Sequence, residues 1–319
     1  MSAKHFGILF LIVCLLLGIF CGANAEGADD DFEARYFKKA RLDCDGESYT
    51  LRSRLTTILL IGVDKETGEE ASVDYRNGGQ ADFLLLVVVD DNRDAVTAIQ
   101  INRDTMAEIT TLSALGEETG TRQAQICLSH GYGDGKKQSC ELTIRAVRNL
   151  LWNVPIDHFM AMNMDAISAF NDAIGGVEVT LEDDFSAYDP SMTPGKTMLL
   201  QGKQAEYYLQ YRYNVGQQTN LSRLDRQYNY LQAASSKAMH LIQETPMFAG
   251  KLFNLLKDSV QTDVSSGYLI NLANKVRRYE VMPIMRIDGE TRLGESGFVE
   301  FYPDRNSMRE VVRSTFCEN

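Results

Sequence analysis

Bases are scarce in this 319-residue sequence: 32 lysines and arginines face 44 aspartates and glutamates, leaving a net charge of −12. Binding to nucleic acid draws on a basic surface, so no nucleic-acid partner is expected. An anionic phosphate ligand is compatible only where bases gather locally or a divalent cation intervenes. Histidine is equally sparse. His5, His130, His158 and His240 are scattered, and no CxxC or Cys/His spacing suggests zinc. Also lacking are a Pro/Gly/Ser-rich linker, an internal repeat and a low-complexity tract, so one large domain is expected although the chain exceeds the ~150 residues of a common one.

What is present begins with an export signal. Lys4 and His5 precede an apolar run from Phe6 to Cys21, and Ala23-Asn24-Ala25 offers small residues at the spacing of a signal-peptidase site. The run is long for a signal core and short for a span of about 20 residues. Residues 1–25 are therefore a cleaved signal peptide or a retained membrane anchor, and either exports the rest. Ile19-Phe20-Cys21 is a poor lipobox, so lipidation of Cys21 is not expected. Residues 26–54 look like a polar stalk with some helical character, and 55–319 form the domain.

Outside the export segment stand Cys44, Cys127, Cys140 and Cys317, an even set in an oxidation-permissive compartment. Three pairings are possible. Cys127–Cys140, which closes a short loop, is favoured, with Cys44–Cys317 as a tether between the two ends.

Three apolar runs of strand type follow, Thr57–Val63, Phe83–Val89 and Ala95–Ile101. Continuous apolar runs suit strands buried on both faces. The polar turn Asp90–Asp94 predicts a hairpin between the second and third. Helix is expected over Glu141–Trp152, stopped by Pro155, then strand over His158–Asn163, helix over Asp165–Ala173 and strand over Val177–Leu181. Further helices follow at Gly202–Tyr211 and Leu221–Gln243, with two or three more after Pro246. Strands at Tyr279–Ile287 and Gly297–Tyr302 and a terminal helix Ser307–Phe316 complete the chain. Such interleaving predicts an α/β fold, a three-layer α-β-α sandwich around a mixed sheet.

Four clusters carry candidate chemistry. Asp64 follows the first strand and Asp82 opens the second; carboxylates at strand edges can share a hard cation such as Mg²⁺, which takes oxygen ligands. Either aspartate alone also suits a turn or cap. Asn102-Arg103-Asp104-Thr105 closes the third strand, where Arg103 is either a surface ion pair or a planar fork for phosphate oxygens. The densest cluster is Arg212, Arg223, Arg226 and Gln227. Arg223 and Gln227 share a helix face at i,i+4, and a solvated face is the plain alternative.

Taken together, "TILLIGVD", "GGQADFLLLVVVDDNRDAVTAIQINRDT", "NLLWNVPIDHFMAMNMDAISAFNDAIGGVEV", "LLQGKQAEYYLQYRY" and "NLSRLDRQ" resemble the LytR-CpsA-Psr domain over roughly residues 55–240. The resemblance implies an extracytoplasmic phosphotransferase, working at the membrane surface with Mg²⁺ or Mn²⁺. Such an enzyme moves a teichoic acid or capsule-type glycopolymer from an undecaprenyl-pyrophosphate carrier onto peptidoglycan. Carried onto this chain, it implies Asp64 and Asp82 as metal ligands, Arg103, Arg212, Arg223 and Gln227 around the pyrophosphate, and Asp82, Arg103 and Arg223 in catalysis. The lipid would lie in a tunnel between sheet and helices. Two rivals share the fold: a non-catalytic carrier-binding or envelope-regulatory protein, and a metal-dependent polyprenyl-pyrophosphate pyrophosphatase.

Several positions depart from the family pattern. Gln80 stands for an arginine, Asn102 for a proline, Gln210 for the first arginine of an Arg-x-Arg pair and Asn220 for an aspartate. Cys127 falls near the asparagine of a Lys-x-Asn segment. Each lost charge-assisted contact is worth about 1.5–3 kcal/mol, enough to weaken a pyrophosphate site markedly.

Overall fold

The structure, a computed structural model, describes residues 41–64, 78–163, 166–211, 215, 220–245, 248–276, 279–295 and 297–318. The expected export segment 1–25 and Arg212 lie outside the described residues. Strands β1 (Arg41–Cys44), β2 (Glu47–Thr50), β3 (Leu55–Asp64), β4 (Gln80–Asp90), β5 (Ala95–Ile101), β6 (Met106–Leu112) and β7 (Glu118–Gln125) come first. Next are α1 (Leu128–Gly131), α2 (Lys137–Leu150), β8 (His158–Asn163), α3 (Ala166–Ala173), β9 (Val177–Thr180) and β10 (Thr197–Leu200). Helices α4 (Lys203–Gln210), α5 (Asn220–Glu244) and α6 (Phe248–Leu256) precede β11 (Val260–Thr262) and α7 (Ser266–Val276). Strands β12 (Glu280–Arg286), β13 (Gly289–Leu293) and β14 (Val299–Pro303) lead to α8 (Arg305–Phe316).

The central sheet runs β11-β8-β3-β4-β5-β12. It is mixed: β3 pairs antiparallel with β4 and β4 with β5, while β3–β8 and β5–β12 are parallel. Alternation on the strands divides the apolar runs between two faces. Leu59, Ile61, Leu84, Leu86, Val88 and Ile99 pack with Ala146 and Val147 of α2 and Val311, Val312 and Phe316 of α8. On the other face Ile58, Leu60, Leu85, Val87 and Val96 meet Leu269, Leu272 and Val276 of α7. The three layers and the β4–β5 hairpin are as the sequence predicts. A third cluster joins β9, β10, α4 and α5 through Val177, Leu200, Tyr208, Leu209, Tyr230 and Ala234. Among the described residues no helix is long and apolar enough to cross a membrane.

Two expectations are corrected. Residues 41–54, assigned to a polar stalk, contain the β1–β2 hairpin, whose Leu42 and Cys44 are buried in the main core. The C-terminus holds it there: Leu51 bridges Cys317, and Arg52 N–H donates to the Phe316 carbonyl at 2.8 Å. Those partners sit far off in sequence, so local polarity misleads. The favoured Cys127–Cys140 disulfide is likewise not formed, and Cys44, Cys127, Cys140 and Cys317 are all free and buried. Cys127 turns its sulfur to Arg103 at 3.3 Å, whereas Cys140 faces His130 Nε2 at 3.9 Å.

Boundaries also shift for local reasons. Helix α2 ends at Leu150, not Trp152, because Trp152 and Asn153 adopt positive φ (52° and 64°). That conformation cannot continue a right-handed helix. The β6–β7 hairpin over residues 106–125 has no counterpart among the predicted elements.

Candidate functional site

One end of the central sheet is built to aim polar side chains out of it. Along β3–β4 the register passes from Gly62↔Phe83 to Val63↔Ala81, leaving Asp82 as the extra residue of a β-bulge. A bulge breaks the alternation and re-aims the side chain it carries. The entry to this strand is pinned from below. Gly78 N–H donates to the Gly131 carbonyl at 3.4 Å and His130 Nδ1 lies 3.0 Å from the Gly79 carbonyl oxygen. A Cβ at Gly78 would sit 2.6 Å from the His130 carbonyl oxygen, so only glycine passes here.

Arg103 arrives from the end of β5. The Asn102 side-chain oxygen accepts from Asp104 N–H at 3.0 Å, and its carbonyl accepts from Thr105 N–H at 3.0 Å. This Asx-type turn sets the backbone without the proline of the family pattern. The Arg103 guanidinium then donates to Asp82 Oδ1 through Nη1 and to Gln80 Oε1 through Nη2. Arg223, from α5, donates to Asp82 Oδ2 at 3.1 Å. Both oxygens of one carboxylate are thus held by arginines that lie 120 residues apart in sequence. Burial works against the Arg103 charge, but Asp82, Cys127 and Asp104 more than offset it and raise its pKa. Burial pushes the Cys127 thiol up to about 11 despite Arg103.

These groups line a cleft of about 770 Å³ that also takes in Asp64, Gln210, Tyr211, Arg122, Gln123, Gln125, Phe298 and Glu300. Asp64, exposed at the end of β3, stands opposite Gln80 in the ladder. Asp64, Asp82, Arg103 and Arg223 therefore converge. Gln227 does not line the cleft; its buried amide donates to the Leu209 carbonyl at 3.2 Å. Arg226 donates to the Tyr208 and Tyr211 carbonyls at 2.9 and 2.7 Å, pairs with Asp183 at 2.6 Å and lies over the Phe185 ring. Together Arg226 and Gln227 satisfy the free carbonyls at the C-terminus of α4, where positive charge is favoured. They shape the wall on which Gln210 and Tyr211 sit.

The wall formed by β7 and β14 was missed by sequence reasoning. Arg122, Gln123 and Gln125 come from a polar strand, and Gln125 Nε2 donates to the Val299 carbonyl at 2.6 Å, joining the two. Phe301 N–H donates to the Asp104 carbonyl at 2.8 Å, which ties β14 to the Arg103 turn. The β-branched run Ile109-Thr110-Thr111 followed by Ser113 to Gly120 was the available hairpin signal. Among the described residues the lining cations Arg103, Arg122 and Arg223 are matched in number by Asp64, Asp82 and Glu300. Among the described residues no cluster of three His, Cys, Asp or Glu side chains could by itself hold a metal.

The pattern of the LytR_cpsA_psr family matches residues 27–315. This chain belongs to that family. Family membership extends well past the 55–240 stretch that carries the sequence resemblance, and takes in the β1–β2 hairpin and nearly all of α8. A polyisoprenyl-teichoic acid–peptidoglycan teichoic acid transferase TagU of Halalkalibacterium halodurans is 28% identical over 221 residues, 69% of this chain and 65% of that protein. The match thus spans less than two thirds of the relative's length. Among solved structures, a Streptococcus agalactiae protein superposes with a TM-score of 0.64 at 23% identity, covering 82% of this chain and 86% of that one. TagT bound to LIIa-WTA gives 0.60 at 19% identity, covering 82% and 89%. These likenesses establish the LytR_cpsA_psr fold.

Proposed function

We propose that this chain is an extracytoplasmic phosphotransferase. It takes a glycopolymer of teichoic acid type from a polyprenyl-pyrophosphate carrier and attaches it to peptidoglycan. The observation that carries the reading is the convergence of Arg103 and Arg223 on one carboxylate inside the cleft. Two guanidinium groups, that of Arg223 buried and that of Arg103 nearly so, already stand around an anion and offer the fork geometry that phosphate oxygens accept. The name of the H. halodurans relative supports the same polymer class and acceptor. Work on the outer face of the membrane is in keeping with the export segment expected at residues 1–25.

In this reaction an acceptor hydroxyl attacks the phosphorus that bears the glycan. A new P–O bond forms, the bond to the bridging oxygen breaks, polyprenyl phosphate leaves, and the hydroxyl proton passes to water. Arg103 and Arg223 orient the pyrophosphate and stabilise charge on the leaving group, so catalysis is positioning plus electrostatics. Asp64 and Asp82 would hold Mg²⁺ or Mn²⁺. Two carboxylates suit such an ion when phosphate oxygens and water supply its remaining ligands. Bound there, the cation would neutralise phosphate charge beyond what the lining arginines match.

A second reading, capture of the carrier-linked precursor without turnover, is favoured by one observation. Gln80 and Gln210, neutral where the family resemblance implies arginine, both line the cleft. Incubation with a short polyprenyl-pyrophosphate glycan, Mg²⁺ and peptidoglycan fragments separates the possibilities. Glycan joined to peptidoglycan supports transfer. Retention without product supports capture, and acceptor-independent release of polyprenyl phosphate supports a pyrophosphatase; either of these sinks the transferase reading.

A further inference from the structure

The β4–β5 ladder stops at the pair Leu84↔Ile101. Beyond it the residues that matter, Gln80 and Asp82 on β4 and Arg103 after β5, have no β4–β5 pairing to hold them in register with each other, although Gln80 still pairs with Asp64 of β3. Cys127, at the junction between β7 and α1, occupies that gap. Its N–H donates to the Arg103 carbonyl at 3.1 Å, and its own carbonyl accepts from Ala81 N–H at 3.0 Å. Its sulfur accepts from Arg103 Nη2 at 3.3 Å and lies 3.9 Å from Gln80 Oε1. The residue is fully buried and in no disulfide.

We infer that Cys127 is a positioning residue of the cleft: its backbone locks the Arg103 and Ala81 segments together while its sulfur sets the plane of the Arg103 guanidinium. The backbone contacts survive any substitution that keeps the fold, so the side chain's share can be isolated. Among the described residues the sulfur, Asp82 and Gln80 accept from the two Nη atoms of Arg103, while Asp104 Oδ1 lies 3.5 Å from Nε. Removing it leaves Nη2 with Gln80 alone and lets the fork tilt away from the orientation that two phosphate oxygens need. Serine keeps an acceptor of nearly the same size; alanine keeps none.

This inference rests on the phosphate-binding reading of the cleft, and the test separates the two. Inorganic pyrophosphate is titrated by calorimetry, with Mg²⁺ present, into the wild-type protein, Cys127→Ala and Cys127→Ser, and thermal unfolding is followed in parallel. Cys127→Ala is expected to bind about tenfold more weakly, the loss of one oriented charge-assisted contact. Cys127→Ser should stay close to wild type, and both variants should unfold within a few degrees of it. Equal binding by Cys127→Ala and wild type, or equal loss in both variants, overturns the inference. A second readout needs no ligand: rotation of the Arg103 guanidinium, measured by ¹⁵N NMR exchange. Faster rotation in Cys127→Ala than in Cys127→Ser supports the role, and identical rates overturn it. If the wild-type protein takes up no pyrophosphate, the phosphotransferase reading falls, and the NMR rates still decide Cys127.

Discussion

Asp82 Oδ2 and Arg223 Nη1 lie 3.1 Å apart, with 6% and 3% of the two side chains exposed, although 141 residues of sequence separate them. The pair ties the bulged end of β4 to the first turns of α5, and Arg103 closes it from the other side. A carboxylate between two arginines occupies the place where a phosphate would accept the same donors. It follows that anion binding and the Asp82 contacts compete for the same N–H groups.

Asp82→Asn should therefore have two opposite effects. Leaving two nearly buried guanidinium groups without their counter-charge is expected to cost about 3–5 kcal/mol of stability, read from urea unfolding at neutral pH. Metal-free pyrophosphate affinity should rise, because both forks are released, while any stimulation by Mg²⁺ should disappear with one of the two carboxylates proposed to hold it. A variant that keeps full stability, or that still responds to Mg²⁺ as the wild type does, contradicts this account of the clamp.

Gln210→Arg tests the charge balance of the cleft. The side chain lines it, and a further lining cation would tip the described lining residues, three cations against three anions, toward positive. One added charge-assisted contact predicts roughly tenfold tighter pyrophosphate binding. The salt dependence of binding should steepen with it. Unchanged affinity across the salt series would show that Gln210 does not face the bound phosphate.

Arg223 and Arg226 share a helix and should divide by phenotype. Arg226 holds the Tyr208 and Tyr211 carbonyls and Asp183, and burial lowers its pKa against the pull of that carboxylate. Arg226→Ala should lose about 3–5 kcal/mol of folding stability, since Asp183 and the carbonyls are left without their donor. Arg226→Lys should recover part of the loss. Arg223→Ala should lower ligand affinity far more than Arg226→Lys does at matched stability. Calorimetry and urea titrations on the three variants check the division.

Legibility in the sequence followed the range of the interactions. Apolar runs at 57–63, 83–89 and 95–101 announce strands buried on two faces because each residue's burial is written in its own side chain. Asp64, Asp82, Arg103 and Arg223 were identifiable as charged residues at strand ends and on a helix in an acidic chain. Gln227 shared the helix face of Arg223 but serves the end of α4, since which neighbour a helix face meets is a tertiary fact. Arg122 and Gln125 were invisible for the opposite reason: a polar strand of the pattern Glu118–Gln125 carries no alternation to betray it. The β1–β2 hairpin depends on α8 and the Cys317 bridge, which only the folded chain brings near.

The four buried thiols predict how the protein fails in base. Burial pushes Cys44, Cys127 and Cys317 up to about 11 and Cys140 to about 12, from an ordinary value of 9.0. Each folded thiol holds its proton where the unfolded chain has released it. Stability from this source is complete below pH 9.0 and falls as pH rises toward 11, because the unfolded state then binds fewer protons. At pH 8 roughly one in a thousand of the pKa 11 thiols is thiolate, so alkylation of the folded protein should be slow and should follow unfolding. Iodoacetamide labelling at pH 8, counted by mass, is expected to find these four sites unmodified in buffer and modified in urea. Urea midpoints measured from pH 8 to 10.5 should fall steadily in the wild type and fall less in a Cys140→Ala variant. Rapid labelling of Cys127 or Cys140 in buffer would mean that the wall behind Arg103 opens without global unfolding.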